Sequence, residues 1–287
     1  MKEREKIIKS ASDKPLVSIC IPSYNCSEFI TESIKSVFSQ SYENIELIIT
    51  EDGSTDNSIE VINAALSQKP ENFPVTFKIL PQNTGITENY NLLLTLAKGK
   101  YVKILPGDDY IFPDCIAKKV AVFEQYQDEL ALVFSSRYVI TRSGKRVMKA
   151  KFFADGKIEN RELIRKCILG GTNLIGEPGA VLFRKSASDE VGFFDSRWSY
   201  THDIDYWSRI LLHGHAYAFS HPLSVFRIDN NLSVRLGRKR VTHYWHVIQA
   251  MACRWNVSKM VVIAGYARTV INELLRRMVH LYCRLRG

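Results

Sequence analysis

The chain has 287 residues, of which 46% are hydrophobic and 24% are charged, with a formal net charge of +9. This composition is typical of a globular protein with one sizeable core, and it excludes a disordered chain. The positive charge is concentrated near the C-terminus, where residues 227–287 contain twelve Lys or Arg and two Asp or Glu. This segment carries +10 and the remainder −1, which predicts an anionic partner such as a membrane surface or nucleic acid.

The cysteines and the apolar runs indicate the class of protein. The six cysteines form no CxxC pair, and the first ten residues contain no apolar signal segment. We therefore expect a reducing, cytoplasmic protein with free thiols and no structural zinc. No run of 18 apolar residues occurs, which argues against a membrane-spanning helix. The cysteines are Cys20, Cys26, Cys115, Cys167, Cys253 and Cys283.

In chain order, the first half alternates strand-like apolar runs with segments of helical periodicity. The strand-like runs are residues 16–23, 45–50, 75–80 and 100–105, and the helical segments are 28–40, 56–68 and 87–99. This order predicts a parallel sheet with helices on both faces. Polar stretches follow the strands, and they read PSYN (22–25), EDGSTD (51–56), QNTG (82–85) and PGDDY (106–110). Ligands of such sheets bind at the carboxyl ends of the strands, so we predict a cleft there.

The second half has a more mixed pattern. We predict a helix near 113–127, short strands at 130–136 and 138–141, and a Gly-rich linker at 170–179. The segment 241–286 is predicted to be a basic amphipathic helix, because its apolar residues recur every three or four positions and its arginines lie largely off that stripe. The stripe comprises Met260, Ile263, Ala264, Ala267, Ile271, Leu274, Met278, Leu281 and Leu285, and the arginines are Arg268, Arg276, Arg277, Arg284 and Arg286.

Three acidic stretches are candidate sites. Asp108 and Asp109 follow the strand-like run 100–105 and would suit Mg²⁺ or Mn²⁺, which bind one or two carboxylates together with substrate phosphates. Asp52 follows another strand, where a carboxylate can accept a hydrogen bond from a base or a ribose. Asp203 begins a helical stretch and could act as a general base. In each case a turn or helix-capping role remains the alternative.

Familiar nucleotide-binding loops are absent from the sequence. It contains no GxxxxGK[ST] motif and no GxGxxG motif after the first strand. A dehydrogenase or a P-loop ATPase is therefore disfavoured. Nucleotide recognition, if it occurs, must depend on carboxylates and a metal.

The chain resembles the family 2 glycosyltransferases of the GT-A fold from about Val17 to about Arg227. Four stretches carry the resemblance in the family's order: VSICIPSYN, LIITEDGSTDNS, NTGITENYNLLLTLAKGKYVKILPGDDYIFP and GFFDSRWSYTHDIDYWSRI. The resemblance implies an α/β fold with a Rossmann-like, mostly parallel central sheet flanked by helices, followed here by C-terminal amphipathic helices. It also implies an inverting transferase that uses a nucleotide-sugar and Mn²⁺ or Mg²⁺.

The family's functional positions can be carried over one by one. Asp203 would be the catalytic base, and Asp108 is favoured over Asp109 for the metal because it lies five residues before Pro113. The acceptor-side residues would be Glu177 and His202. The nucleotide-sugar would be bound by Pro22, Ser23, Tyr24, Asn25, Asp52, Gly85, Asn91 and Asp108, and the metal by Asp108 and Asp109.

The sequence departs from the family's pattern at several of these motifs. Pro106 stands where many members have a first Asp of the metal motif, so the metal shell is expected to be thinner. Tyr90 stands where many have Arg, and His202 replaces the usual Glu before the base. Glu51 replaces the first Asp of the Asp-Asp-Gly-Ser loop.

The implied domain organisation is an N-terminal extension (1–14), a glycosyltransferase domain (15–232) and a basic helical tail (233–287). The domain would divide into a nucleotide-binding half (15–113) and an acceptor-binding half (114–232). We expect a UDP-sugar donor, a glycan or lipid-linked acceptor, and a role in bacterial surface polysaccharide biosynthesis. A non-catalytic nucleotide-sugar-binding or scaffold protein of the same fold is the alternative.

The basic tail leaves two alternatives open. It would hold the protein at the cytoplasmic face of an anionic membrane, or its apolar stripe would pack on the body or on another subunit of a homo-oligomer. Nucleic acid is not expected as a partner, because the basic residues do not interleave with a nucleic-acid-reading motif and the body is nearly neutral. A glycoside hydrolase is disfavoured, since it would not need a metal pair at the end of a parallel strand.

Overall fold

The computed structural model describes residues 14–198, 200–228 and 237–286. The strands are β1 (Val17–Ser23), β2 (Ile45–Glu51), β3 (Val75–Ile79), β4 (Tyr101–Ile104), β5 (Tyr110–Ile111), β6 (Leu130–Thr141), β7 (Arg146–Ala150), β8 (Gly156–Ile158), β9 (Val181–Arg184) and β10 (His215–Ile228). The helices are α1 (Ile30–Phe38), α2 (Ser58–Leu66), α3 (Ile86–Leu96), α4 (Cys115–Tyr126), α5 (Asn160–Gly170), α6 (Lys185–Val191), α7 (His202–Ile210), α8 (Gly237–Trp255) and α9 (Lys259–Arg286).

The strands form one mixed sheet in the order β3-β2-β1-β4-β9-β6-β10-β5, with β7 paired to β6 and β8 paired to β10. The four strands predicted in the first half are parallel neighbours, so that prediction is confirmed. β6 and β10 are also parallel, whereas β9 lies antiparallel between β4 and β6. The predicted α/β fold with a central sheet flanked by helices is therefore confirmed, although the antiparallel pairings of β5, β7, β8 and β9 make the sheet mixed.

The sheet has a hydrophobic core on each face, and alternate residues of β1 point into different cores. Ile19 and Ile21 pack with α1, α2 and α4, whereas Cys20 packs with α3, α5 and α7. This alternation follows from the two-residue period of a strand, and every residue of β1 is buried. Burial on both faces explains why the strand sequence is a continuous apolar run.

The second half differs from the predicted elements in two places. The two short strands expected at 130–136 and 138–141 are one strand, β6, because Arg137 between them pairs in register with Ser224 of β10 and Ala150 of β7. The single helix expected over 241–286 is two helices, α8 and α9. They separate at Asn256, whose φ of 50° is incompatible with a continuing helix.

The first C-terminal helix shares a core with the acceptor-binding half. Val247, Ile248 and Met251 of α8 are buried in the same cluster as Ile204 and Trp207 of α7. The domain boundaries proposed from the sequence remain predictions, and residues 1–13 and 229–236, which include the boundary at 232–233, lie outside the described part. Within that part, no helix is long and apolar enough to span a membrane.

Candidate functional site

A cleft of about 390 Å³ lies at the carboxyl ends of β1, β2 and β4. Six of the predicted nucleotide-sugar residues line it: Pro22, Ser23, Tyr24, Asn25, Asp52 and Asp108. The cleft is also lined by Cys26, Phe29, Asn83, Ile86, Asn89, Pro106, Gly107, Arg142, Arg227 and Ile228. Its position agrees with the expectation that loops at this edge of a parallel sheet form the binding site.

Hydrogen bonds between side chains and backbone hold the loop after β1 in place. The side-chain oxygen of Asn25 accepts a hydrogen bond from the Thr55 amide at 2.8 Å, and the Asn25 amide donates to Ser54 Oγ at 2.9 Å. Asn25 has a φ of 48°, which Asn tolerates better than most residues. These bonds join the loops after β1 and β2 into one wall of the cleft.

Asp52 joins the loop after β2 to the start of α3. Its Oδ1 accepts hydrogen bonds from the Thr84 amide at 2.8 Å and the Thr84 hydroxyl at 2.7 Å, and its Oδ2 accepts from the Gly85 amide at 3.0 Å. Gly85 has a φ of 93°, a conformation that favours glycine. Gly85 therefore acts on the cleft through Asp52, and it is not among the lining residues.

The adjacent carboxylates Asp108 and Asp109 point in different directions. Asp108 lines the cleft, whereas Asp109 is buried and its Oδ1 accepts a hydrogen bond from the Arg227 amide at 2.8 Å. Asp109 Oδ2 has no hydrogen-bond partner among the described residues. Burial, and after it the charge of Asp108, raises the pKa of Asp109 well above its usual value.

The donor set at this end of the cleft fits a divalent cation that takes few protein ligands. The described residues contain no group of three or more His, Cys, Asp or Glu side chains that could hold a metal ion. Mg²⁺ commonly binds one or two carboxylates and completes its shell with phosphates and water. Asp108 fits that role, and the unpartnered Oδ2 of the neighbouring Asp109 is a second carboxylate oxygen.

Two arginines that were not predicted from the sequence line the cleft. The Arg227 guanidinium donates to the Asp108 carbonyl at 3.0 Å, to the Arg142 carbonyl at 3.1 Å and to Glu32 at 2.6 Å. Arg142 is exposed, pairs with Glu28 and lies over the ring of Phe29. They come from β10 and from the turn after β6, where no motif in the sequence indicated a ligand site.

A second carboxylate group lies around the N-terminus of α7. Asp203 Oδ2 accepts a hydrogen bond from Asn173 Nδ2 at 2.8 Å, and its Oδ1 accepts from the Ile204 amide at 2.7 Å. Desolvation raises the pKa of Asp203, the nearby His202 lowers it, and the charge of Glu177 raises it. Glu177 is paired with the buried Arg137.

Tyr90 connects the two carboxylate groups. Burial raises the pKa of its hydroxyl, and so do the charges of Asp109, Asp203 and Asp108, in decreasing order of effect. The ring of His202 packs against the Tyr90 ring at a centroid distance of 5.4 Å. Tyr90 belongs to α3, whose Ile86 and Asn89 line the cleft, so the His202 contact places the acceptor-side group beside that helix. Asp203, Glu177 and His202 are themselves not among the lining residues.

Asn91 has a structural role in this arrangement. Its side chain accepts a hydrogen bond from the Phe194 amide at 2.8 Å and donates to the Phe194 carbonyl at 3.1 Å. It is absent from the lining of the cleft. The two bonds join α3 to the segment before α7, next to the aromatic stack of Phe194 on Tyr206.

Comparisons with known proteins agree with this geometry. The family model for glycosyl transferase family 2 matches residues 18–192. The chain belongs to glycosyl transferase family 2. A glycosyltransferase from Rickettsia typhi is 25% identical over 272 residues, which are 93% of this chain and 81% of that protein. Chondroitin synthase from Pasteurella multocida is 37% identical over 131 residues, but these are 45% of this chain and 13% of the synthase.

Solved structures of glycosyltransferases show the same fold. S. aureus TarS (residues 1–349) superposes with a TM-score of 0.66 at 15% sequence identity. The superposed region covers 88% of this chain and 71% of the TarS chain. The mannosyltransferase PcManGT from Pyrobaculum calidifontis, in complex with GDP-Man and Mn²⁺, superposes with a TM-score of 0.60 at 15% identity, covering 93% and 77%. This family 2 glycosyltransferase therefore has the predicted GT-A fold.

Proposed function

We propose that this family 2 glycosyltransferase moves a sugar from a nucleotide-diphosphate sugar to an acceptor hydroxyl with inversion at the anomeric carbon. The observation that carries the proposal is the proximity of the two carboxylate groups. Asp108 lines the cleft, and His202 beside Asp203 packs on Tyr90 of α3, the helix that also contributes to the cleft wall. A donor in the cleft would thus present its sugar towards Asp203.

The donor is proposed to be a UDP-sugar. Support comes from the wall formed by Pro22, Ser23, Tyr24 and Asn25, and from Asp52 on the adjacent loop. The exposed ring of Tyr24 offers a flat face to a nucleobase. S. aureus TarS has been solved with UDP and with UDP-GlcNAc, which makes a uridine nucleotide the first ligand to test.

Asp203 is proposed to be the general base. Its hydrogen bonds from Asn173 and from the Ile204 amide fix the carboxylate, and desolvation raises its pKa and so makes it a stronger proton acceptor. It would take the proton of the acceptor hydroxyl while that oxygen bonds to the anomeric carbon. The bond from this carbon to the diphosphate breaks on the opposite face, so the nucleoside diphosphate leaves and the configuration inverts.

Charge on the leaving diphosphate is proposed to be balanced at two places. Asp108, with Asp109 next to it, would hold Mn²⁺ or Mg²⁺, and such an ion neutralises negative charge on a diphosphate when it is bound. Arg142 would add a cation from the other side. Its ion pair with Glu28 is exposed on both partners and is therefore weak, worth roughly 0–1 kcal/mol, so a phosphate can displace the carboxylate.

The acceptor is proposed to be a glycan or a lipid-linked sugar, with Glu177 and His202 on its side of the site. The chain would work at the cytoplasmic face of a membrane in surface polysaccharide biosynthesis. Support for polysaccharide synthesis comes from the similarity to the chondroitin synthase of Pasteurella multocida, which is confined to 131 residues. The +10 charge of residues 227–287 supports attraction to anionic lipid.

Donor binding and turnover can be tested separately. A thermal-shift panel of nucleotide-sugars with Mn²⁺ should show a ligand-dependent rise in melting temperature for the true donor. Proton NMR of the released or transferred sugar should then show the inverted anomer. Binding without hydrolysis or transfer would support the non-catalytic alternative, and no response to any nucleotide-sugar would contradict the proposal.

The role of Arg142 has its own test. Arg142→Gln should weaken UDP binding about tenfold in calorimetry and leave uridine binding unchanged, because only UDP carries the diphosphate. Arg146→Gln is the matched control, since Arg146 is an exposed cation at the other end of the same turn, stacked on Tyr138 and absent from the cleft lining. Equal losses in both variants would mean that total charge, not Arg142, determines affinity.

A further inference from the structure

One face of α9 is apolar and points away from the body of the protein. Met260 is 80% exposed, Met278 is 66% exposed and Ile263 is 65% exposed. The other large apolar side chains of this outward face are also exposed, and they are Val270, Ile271, Leu274 and Leu275. The predicted stripe of the C-terminal helix is therefore not packed on the body in its described part, which leaves a membrane surface or a second subunit as its partner.

The opposite face of α9 is fixed against α5. A Cβ added to Gly265 would lie 2.3 Å from the Ile168 carbonyl oxygen, and one added to Gly171 would lie 2.5 Å from the Thr269 amide. Asn272 Nδ2 also donates to the Gly170 carbonyl at 2.7 Å. Because these contacts leave no room for a rotation of the helix, the outward face keeps its orientation.

Cations border the outward face on both sides. At 3.6 residues per turn, the apolar arc from Val270 to Leu275 covers about 140° of the helix circumference. Lys259 and Arg277 lie about 20° beyond one edge, and Arg268 lies about 20° beyond the other. All three side chains are exposed. This is the arrangement of a helix that lies in a membrane interface, with its apolar side in the acyl region and its cations among the headgroups.

We propose that the outward face of α9 docks on an anionic lipid surface, with the helix axis parallel to the bilayer. A second copy of the chain fits the same face poorly, since residues 259–286 contain a single acid, Glu273. Glu273 is buried and is already engaged with Arg240 and Arg277. Two such faces would therefore bring cations together without carboxylates of their own to balance them.

The docking face and the candidate base belong to one packed unit. The Asn173 amide donates to the Tyr244 hydroxyl of α8 at 3.4 Å, and the Asn173 side chain donates to Asp203 at 2.8 Å. α8 in turn packs against α9, with Trp245 Nε1 donating to the Tyr266 carbonyl at 3.2 Å. A lipid-bound α9 would hold Asp203 at a fixed height above the bilayer, which suits a lipid-linked acceptor. This last step rests on the proposed function, whereas the docking does not.

The test is co-sedimentation of the full chain with vesicles of phosphatidylcholine alone and of phosphatidylcholine mixed with phosphatidylglycerol. We expect binding to the mixed vesicles that weakens with salt, and little binding to the neutral ones. Ile263→Glu combined with Leu274→Glu should reduce binding at least tenfold. The matched control is Ile79→Glu combined with Met148→Glu, which adds the same two charges at exposed apolar residues of β3 and β7.

A second pair of variants tests the cations. Lys259→Gln combined with Arg268→Gln should weaken binding to the mixed vesicles roughly 25-fold, or about fivefold for each cation. Lys69→Gln combined with Lys78→Gln removes the same charge from an exposed surface near β3 and should change little.

Three results would overturn the docking proposal. The first is equal binding to both vesicle types, and the second is equal binding by the α9 variants and their controls. The third is a wild-type protein that does not bind vesicles but forms a dimer in light scattering, with the dimer abolished by Ile263→Glu and Leu274→Glu. UDP binding, measured on the same samples, shows that the variants are folded. It also separates failure of the docking proposal from failure of the proposed transferase reaction.

Discussion

Replacing Asp203 with Asn changes the candidate base and little else. The carboxylate accepts one hydrogen bond on each oxygen, from Asn173 at 2.8 Å and from the Ile204 amide at 2.7 Å. An Asn side chain has one acceptor oxygen, so one of the two bonds is lost at a cost of about 1 kcal/mol. Loss of a positioned general base typically slows turnover by roughly 10²–10⁴-fold, which is about 3–5 kcal/mol in the activation barrier.

The same variant should change how stability depends on pH. Burial raises the pKa of Asp203 in the folded protein above its unfolded value, so the folded state binds this proton more strongly. Wild-type stability is therefore lost as pH rises from the unfolded pKa through the folded pKa. Asn does not titrate and lacks this loss. The melting temperature of Asp203→Asn minus that of wild type should become more positive over that interval.

Turnover is measured as nucleotide release with saturating donor, and melting temperature by scanning fluorimetry across the acid-to-neutral range. Asp189→Asn is the control, because Asp189 is an exposed carboxylate in α6 that pairs with Lys185 outside the site. Near wild-type transfer by Asp203→Asn would refute its role as base. A melting-temperature difference that stays constant with pH would refute the raised pKa.

Three further predictions concern the same site. His202→Gln should move the acid limb of kcat/KM to higher pH and Glu177→Gln should move it to lower pH, because these neighbours respectively lower and raise the pKa of Asp203; shifts in the same direction would contradict this. EDTA should abolish sugar transfer, and added Mn²⁺ or Mg²⁺ should restore it. Asp108→Asn should need a far higher metal concentration for the same transfer rate, and transfer that resists the chelator would exclude the metal role of Asp108. Asn173→Ala removes four hydrogen bonds and should lower the melting temperature by about 5 °C. It should also lower kcat by a larger factor than it changes KM, and an unchanged kcat would show that Asn173 does not position the base.

The elements with strong sequence signals were predictable from the residues alone. β1, β2 and β4 are apolar runs buried on both faces, and such runs alternate with helical periodicity only in a parallel α/β sheet. The cleft followed from that topology, because the loops after parallel strands meet at one edge. Six of the predicted binding residues line it for this reason.

The remainder depended on contacts between segments distant in sequence. Arg227 reaches the cleft because β10 crosses back beside β5 and β6, and no local pattern records that crossing. The break at Asn256 has a local signal that the prediction missed, since Asn favours the left-handed conformation at a helix end and Ser258 is a suitable N-cap residue. Asn91 was assigned to the donor by its motif, yet its amide is occupied by the backbone of Phe194.

Two adjacent carboxylates can lie at the end of β4 because they meet different partners. Asp108 lines the cleft, while Asp109 faces the buried segment before β9, where a Cβ on Gly179 would come within 3.0 Å of its Oδ2. Lys103 Nζ donates to the carbonyl of the same glycine at 2.5 Å, and burial, followed by the charge of Lys119, lowers the pKa of Lys103 to about 7. The position of Asp108 in the cleft favours it as the metal ligand, whereas the Oδ1 of Asp109 accepts the hydrogen bond from the Arg227 amide and so holds β10.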